Sequence, residues 1–174
     1  MKILRTFVPG LYSFKYPDEQ FDELERLFDE WIDTEILFTF FADNKCDLKF
    51  FDITVEEAVT ETTKKVYEIQ KVMKNFAEQE NPDLDSLFIN LNDMDQRISP
   101  MSLQKSKKKF RWLRIYAIRI DSNYYVITGG TIKLTKNMSD RSHTKREFDK
   151  LVFCKNFLVA HGVSDIDTFN EIEI

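Results

Sequence analysis

Seven of the fifteen residues in KSKKKFRWLRIYAIR, residues 105–119, are Lys or Arg, and Trp112 and Tyr116 stand among them. Cations neutralise phosphates and aromatic faces stack on bases, and binders of single-stranded nucleic acid use the two together. Lys105, Lys107, Lys108 and Lys109 would form a mobile approach whose attraction for a polyanion weakens with salt. Arg111, Trp112, Arg114 and Tyr116 would follow on a strand.

That chemistry depends on which face of a strand each side chain takes. DSN at 121–123 is a turn signal, and the run from Tyr124 reads as a second strand. With Ile120 opposite Tyr125, Arg114 faces Thr131, Tyr116 faces Gly129 and Trp112 faces Lys133. Alternation then sorts the hairpin into two faces. One holds Trp112, Arg114, Tyr116, Tyr125, Thr131 and Lys133. The other is the core face of Leu113, Ile115, Ala117, Val126, Ile132 and Leu134. Gly129 leaves room beside Tyr116 for something to approach the sheet. A solvated face of snorkelling Lys and Arg carries the same pattern.

The elements around this hairpin follow from periodicity and end signals. KILRTFV at 2–8 reads as a strand, and LYSFKY as a second short one. Pro17-Asp18 opens a helix whose stripe is Phe21, Leu24, Leu27, Phe28 and Trp31. Its acidic residues, Asp22, Glu23, Glu25, Asp29 and Glu30, read as a solvated face. Asp33 caps a second helix. Thr54 and Glu57 form a capping box for a long helix that ends near residue 80. Asp83 starts a short helix with Leu84, Leu87, Phe88 and Leu91. Residues 92–106 read as an exposed loop. Thr144 and Glu147 form a second capping box, opening a last helix that stops at Gly162. Strand, helices, meander and closing helix make an α+β fold. The expected sheet is small and antiparallel, an N-terminal strand plus a C-terminal three-strand meander.

A chain of 174 residues with 43% apolar residues is expected to be one domain with a real core. It divides into an acidic helical part, 18–91, and a basic part, 92–174, of sheet and last helix. Residues 1–100 hold 11 Lys and Arg against 22 Asp and Glu, while 101–174 hold 14 against 8. Such asymmetry suits a polyanionic partner for the basic half, or pairing of the halves with each other. Cys46 and Cys154 are most simply reduced thiols. No leader peptide or membrane span is visible, which places the chain in the cytoplasm by default. No metal or cofactor motif is present, so no cofactor is expected.

The run RIYAIRIDSNYYVITGGTIKLTKNM followed by a helix, with a strand and helices before it, resembles the RelE/ParE/HigB superfamily of bacterial toxins. The likeness covers residues 1–8 and about 84–160, with the acidic helical part as an insertion. It implies the toxin of a toxin–antitoxin module, cutting ribosome-associated messenger RNA without a metal, and a small acidic antitoxin covering the basic face. In its ParE branch it implies a gyrase poison; the alternative readings are a non-catalytic nucleic-acid- or protein-binding protein on the same fold, gyrase-inhibitor-like or a degenerate toxin, and a mobile-element accessory protein. On the nuclease reading, Arg114 and Lys133 would hold the phosphate. Tyr116 or His143 would move a proton, Tyr116 needing a lowered pKa. Arg141, just before the last helix, is a second phosphate ligand. Lys136 in the basic exit and Tyr125 on the strand complete the RNA-binding set.

Overall fold

A computed structural model describes residues 1–91, 101–107 and 110–172. The fold is α+β. The strands are β1 (Lys2–Arg5), β2 (Leu11–Lys15), β3 (Phe88–Asn90), β4 (Ser102–Ser106), β5 (Leu113–Asp121) and β6 (Tyr124–Ile132). The helices are α1 (Glu23–Ile32), α2 (Thr34–Asp43), α3 (Lys45–Leu48), α4 (Val55–Ala77), α5 (Ser142–Ala160) and α6 (Ile166–Glu171). The strands form one sheet in the order β1-β2-β6-β5-β4-β3. Its neighbours are antiparallel except β2 and β6, which run parallel, with Leu11–Ser13 beside Tyr125–Ile127. The sheet is therefore larger than expected, and mixed.

Local signals set several boundaries. Asp33 accepts from the N–H groups of Glu35 and Ile36, and the Thr54/Glu57 box is complete at 2.8 and 3.2 Å. Other boundaries move. Asp18 takes a positive φ of 67°, so the chain turns there, and α1 begins only at Glu23 under an Asp22 cap. The expected helix after Asp83 is a single 3-10 turn, Leu84–Ser86, followed by β3. Pairing of Phe88–Asn90 with Gln104–Ser106 satisfies that backbone and outweighs the helical spacing. The end of the expected loop 92–106 is β4, and 92–100 lie outside the described residues. Thr144 caps nothing; its hydroxyl donates to Met138 O and Arg141 O, and α5 starts two residues earlier.

The hairpin register holds from Leu113/Ile132 to Tyr116/Gly129, then slips by one at a bulge, so that Ala117 faces Ile127 and Arg119 faces Tyr125. A slip of one residue exchanges the faces of everything beyond it. Leu113, Ile115, Ala117, Tyr125, Ile127 and Ile132 pack in a core beneath α1, α2 and α4. Tyr116, Ile118, Ile120 and Val126 pack with Phe14 beneath α5 and α6. Helices cover both faces of β5 and β6, and the expected open cationic face does not exist.

Candidate functional site

The residues expected to bind RNA are dispersed. Trp112 is 1% exposed; its Nε1–H donates to Thr62 Oγ1 on α4 at 2.9 Å, and its ring packs edge-on against Phe41 and Phe51. Arg111 brings this about, because its positive φ of 57° turns the chain before β5 and swings Trp112 under the helices. Arg111 itself pairs with Glu61, its guanidinium 4.4 Å from the Trp112 ring centre. Tyr116 is 1% exposed beneath α5, with no hydrogen-bond partner for its hydroxyl among the described residues. Burial raises its pKa, the opposite of what a general base needs. Tyr125 is buried, stacked on Phe88 and donating to Asp85 Oδ1 at 2.6 Å.

The cations are engaged as well. Arg114 Nη1 donates to the carbonyls of Arg111 and Leu113, and Lys133 to those of Thr135 and Lys136. Lys105 Nζ donates to Leu91 O at 3.0 Å. Arg141 makes a two-pronged pair with Asp47 at 2.8 and 2.5 Å. Lys107 is half-buried and Lys136 exposed, while Lys108 and Lys109 lie outside the described residues. No site assembles on the hairpin face.

A site does assemble elsewhere. β2 and β6 run parallel, but their continuations separate: β2 leads to α1 on one face, β6 to α5 on the other. Where parallel neighbours part in this way, a crevice opens beyond their carboxyl ends, the customary ligand position in open sheets with helices on both faces. The crevice here has a volume of about 570 Å³, within the small-ligand range. Trp31, Ile36, Leu37, Phe40 and Ile132 line its apolar part. Glu19, Glu23, Arg26, Glu30, Arg146, Glu147 and Lys150 line its charged part, with Tyr16 and His143.

Glu23, Arg26, Glu30, Glu147 and Lys150 form one network. Glu23, 3% exposed, takes Arg26 Nε and Nη2 at 3.1 and 2.8 Å and Lys150 Nζ at 2.9 Å. Lys150 also pairs with Glu147 Oε1 at 3.1 Å, and Glu147 Oε2 is buried with no partner among the described residues. Burial pushes the Glu147 pKa above the ordinary carboxylate value, with Lys150 opposing. Gly129 is what admits this pair to the sheet: a Cβ there would stand 2.2 Å from Glu147 Oε2 and 2.6 Å from Lys150 Cε. The space expected beside Tyr116 is thus taken by the protein's own ion pair.

Tyr16 and Cys154 sit behind the network. Tyr16 donates to Thr128 O at 2.8 Å, and its oxygen lies 2.9 Å from Cys154 Sγ. Burial pushes the Cys154 thiol up to about 12, so it is no nucleophile at neutral pH. At the other end, His143 Nε2 lies 3.1 Å from Ile132 O, with Phe40 edge-on to the ring at 5.1 Å. A carbonyl only accepts, so Nε2 carries the proton and Nδ1 is the free acceptor. Burial lowers the His143 pKa and favours this neutral form.

Of the expected catalytic residues, only His143 belongs to the crevice. Glu147, Lys150, Arg146, Glu23 and Arg26 were missed. Their signal was in the sequence: Glu147 shares a stripe with Leu151, Cys154 and Leu158, and Glu23 with Leu27 and Trp31, all buried apolar positions. A charge on the apolar stripe of a helix is costly and asks for a reason. Among the described residues, no group of three or more His, Cys, Asp or Glu is placed to hold a metal ion. No helix among them is long and apolar enough to cross a membrane. Comparison with protein-family models, curated proteins and solved structures finds no match, so the functional reading rests on the geometry of the crevice.

Proposed function

We propose that this chain is the toxin of a toxin–antitoxin module and that it cleaves RNA without a metal from the crevice between α1, α2, β6 and α5. Two things support the reading. The order of elements, two strands, helices, a four-strand antiparallel meander and two closing helices, is similar to the order the resemblance implies. The observation that carries it is the pair His143 and Glu147, one turn apart on α5 and both lining the crevice, the first with its pKa lowered by burial and the second with its pKa raised by burial.

Such a pair suits transesterification within RNA. The 2′-hydroxyl oxygen attacks the adjacent phosphorus while His143 Nδ1 takes its proton. The bond from phosphorus to the 5′ oxygen breaks, and Glu147 gives that oxygen a proton. A cyclic phosphate and a free 5′-hydroxyl result, and solvent restores both side chains. Arg146 at the mouth, with Lys150 behind Glu147, offsets the charge on the phosphoryl oxygens. The acidic antitoxin would act by closing the mouth near Arg146.

The test is induced expression followed by growth and RNA integrity, with purified chain and RNA alongside. Glu147→Gln is expected to lower cleavage about 10²–10⁴-fold, the range for loss of a general acid, with thermal unfolding confirming the fold. Growth arrest with intact RNA would point instead to gyrase; no arrest and no cleavage would overturn the reading. A specific observation favours a second reading, a non-catalytic binding protein. The crevice holds Glu19, Glu23, Glu30 and Glu147 against Arg26, Arg146 and Lys150, a balance suited to a small ligand with charges of both signs.

A further inference from the structure

The free edge of β6 carries a backbone feature unused by the proposed chemistry. Lys133 N donates to Trp112 O at 2.8 Å, so 112 and 133 are a hydrogen-bonded pair. Antiparallel pairs alternate, so 114/131 and 116/129 are bonded and 113/132 and 115/130 are not. Ile115 N–H accordingly points the other way, to Ser106 Oγ at 3.1 Å. The N–H and C=O of Gly130 must then both face away from β5, toward the crevice that Gly130 lines.

Both flanks of that position are closed. Tyr16 occupies Thr128 O and His143 occupies Ile132 O. An open edge of one residue is too short to pair with a strand, which needs several. It does fit one planar group presenting a donor beside an acceptor. Phe40 and Trp31 wall the apolar part, and Arg146 supplies a cation at the mouth.

We infer that the crevice holds a nucleobase edge-on against the Gly130 peptide groups, its ring along the Phe40 wall and its phosphate toward Arg146. The inference rests on the crevice being an RNA site and adds how the base is held. Gly130 is suited to the place for a second reason: a Cβ there would meet Arg114 O at 2.6 Å and Leu27 Cδ1 at 2.7 Å, pushing β6 off its neighbours.

The chain has only four glycines, so the Gly130 amide is readily resolved by NMR of the full ¹⁵N-labelled protein. The probes are AMP, GMP, CMP and UMP, with ribose 5-phosphate as the base-free control and an extended hexapeptide as the strand control. At least one nucleotide is expected to move the Gly130 amide and to bind at least about 10-fold more tightly than ribose 5-phosphate. Methylating the donor nitrogen of that base should cost about 10-fold more, the worth of one hydrogen bond. Equal binding of nucleotide and ribose phosphate with a stationary Gly130 amide would overturn the inference and leave RNA cleavage standing. A shift by the hexapeptide alone would overturn it in favour of a peptide. No shift at about 10 mM nucleotide, well above a millimolar Kd, would overturn it as well. A nucleotide-shifted Gly130 in a protein that cuts no RNA would leave the base site and remove the nuclease.

Discussion

Replacing Thr62 with Val tests the largest departure from the sequence reading, the burial of Trp112. Thr62 is fully buried on α4, where its hydroxyl accepts from Trp112 Nε1 at 2.9 Å and donates to Ala58 O at 2.7 Å. Valine keeps the shape and removes the acceptor. The indole N–H is then left in an apolar interior without a partner, which costs about 1–3 kcal/mol. For a chain of this size each kcal/mol lowers Tm by roughly 2–4 °C, so Tm should fall by about 2–12 °C. Urea unfolding gives the free energy, and Trp112→Phe gives the coupling: Thr62→Val should cost less in that background. Fluorescence supplies an independent check. The only two tryptophans, Trp31 and Trp112, are 3% and 1% exposed, so emission should resist iodide quenching, and any response to added RNA should come from Trp31 in the crevice. A change in stability below about 0.5 kcal/mol, together with emission that iodide quenches, would refute the placement of Trp112.

Tyr116→Phe removes a buried hydroxyl with no partner among the described residues, so stability should be unchanged or slightly higher, by about 0–1 kcal/mol, and RNA cleavage unchanged; loss of cleavage would restore the hairpin face as the site. Glu147 has a raised folded pKa, so its contribution to stability falls as pH rises from its ordinary value of 4.5 through the raised one. Glu147→Gln should therefore be at least as stable as the parent at pH 7 and lose that dependence, read by unfolding from pH 4 to 8. Cleavage needs His143 neutral and Glu147 protonated, so the rate should peak on the acid side of neutrality, and a maximum above pH 8 would contradict the assignment. Gly129→Ala should displace Glu147 and Lys150 from the sheet, lowering cleavage more than stability; a variant with full activity would separate the ion pair from the chemistry.

Local features were legible in the sequence and non-local ones were not. Asp33, Thr54 and Glu57 act through hydrogen bonds spanning three residues, so their caps appear where spacing places them. β3 exists through pairing of Phe88–Asn90 with Gln104–Ser106, and β4 through that and its pairing with β5, which no short window contains. The hairpin register was readable as far as Tyr116/Gly129. The bulge beyond it was not, because it is set by how both faces of β6 pack. One signal was available and outweighed by the charges: IYAI between Arg114 and Arg119 is a continuous apolar run, the mark of a strand buried on both faces. The site was hidden for a related reason. His143, Glu147 and Lys150 recur at helical spacing, but Glu23, which takes Lys150, and Arg26, which pairs with Glu23, lie more than a hundred residues away on another helix.

The charge asymmetry has a structural use that limits what is left for RNA. Arg111 pairs with Glu61, Arg119 with Asp85, Arg141 with Asp47 and Lys150 with Glu23. Each pair joins the basic half to the acidic half, and three of them draw their carboxylate from a helix laid on the sheet. Among the described residues of the basic half, Lys136, Lys145 and Arg146 are the exposed cations outside these ion pairs. A single strand that met these three would release about three counterions, for a slope of roughly −2 in log affinity against log salt. Engagement of the whole 105–119 run, with its seven cations, would demand a slope near −5. Measuring RNA affinity between about 50 and 200 mM salt separates the two. A slope near −5 would mean that the hairpin cations leave their carbonyl and carboxylate partners to meet phosphate, and the crevice would then not be the principal RNA surface.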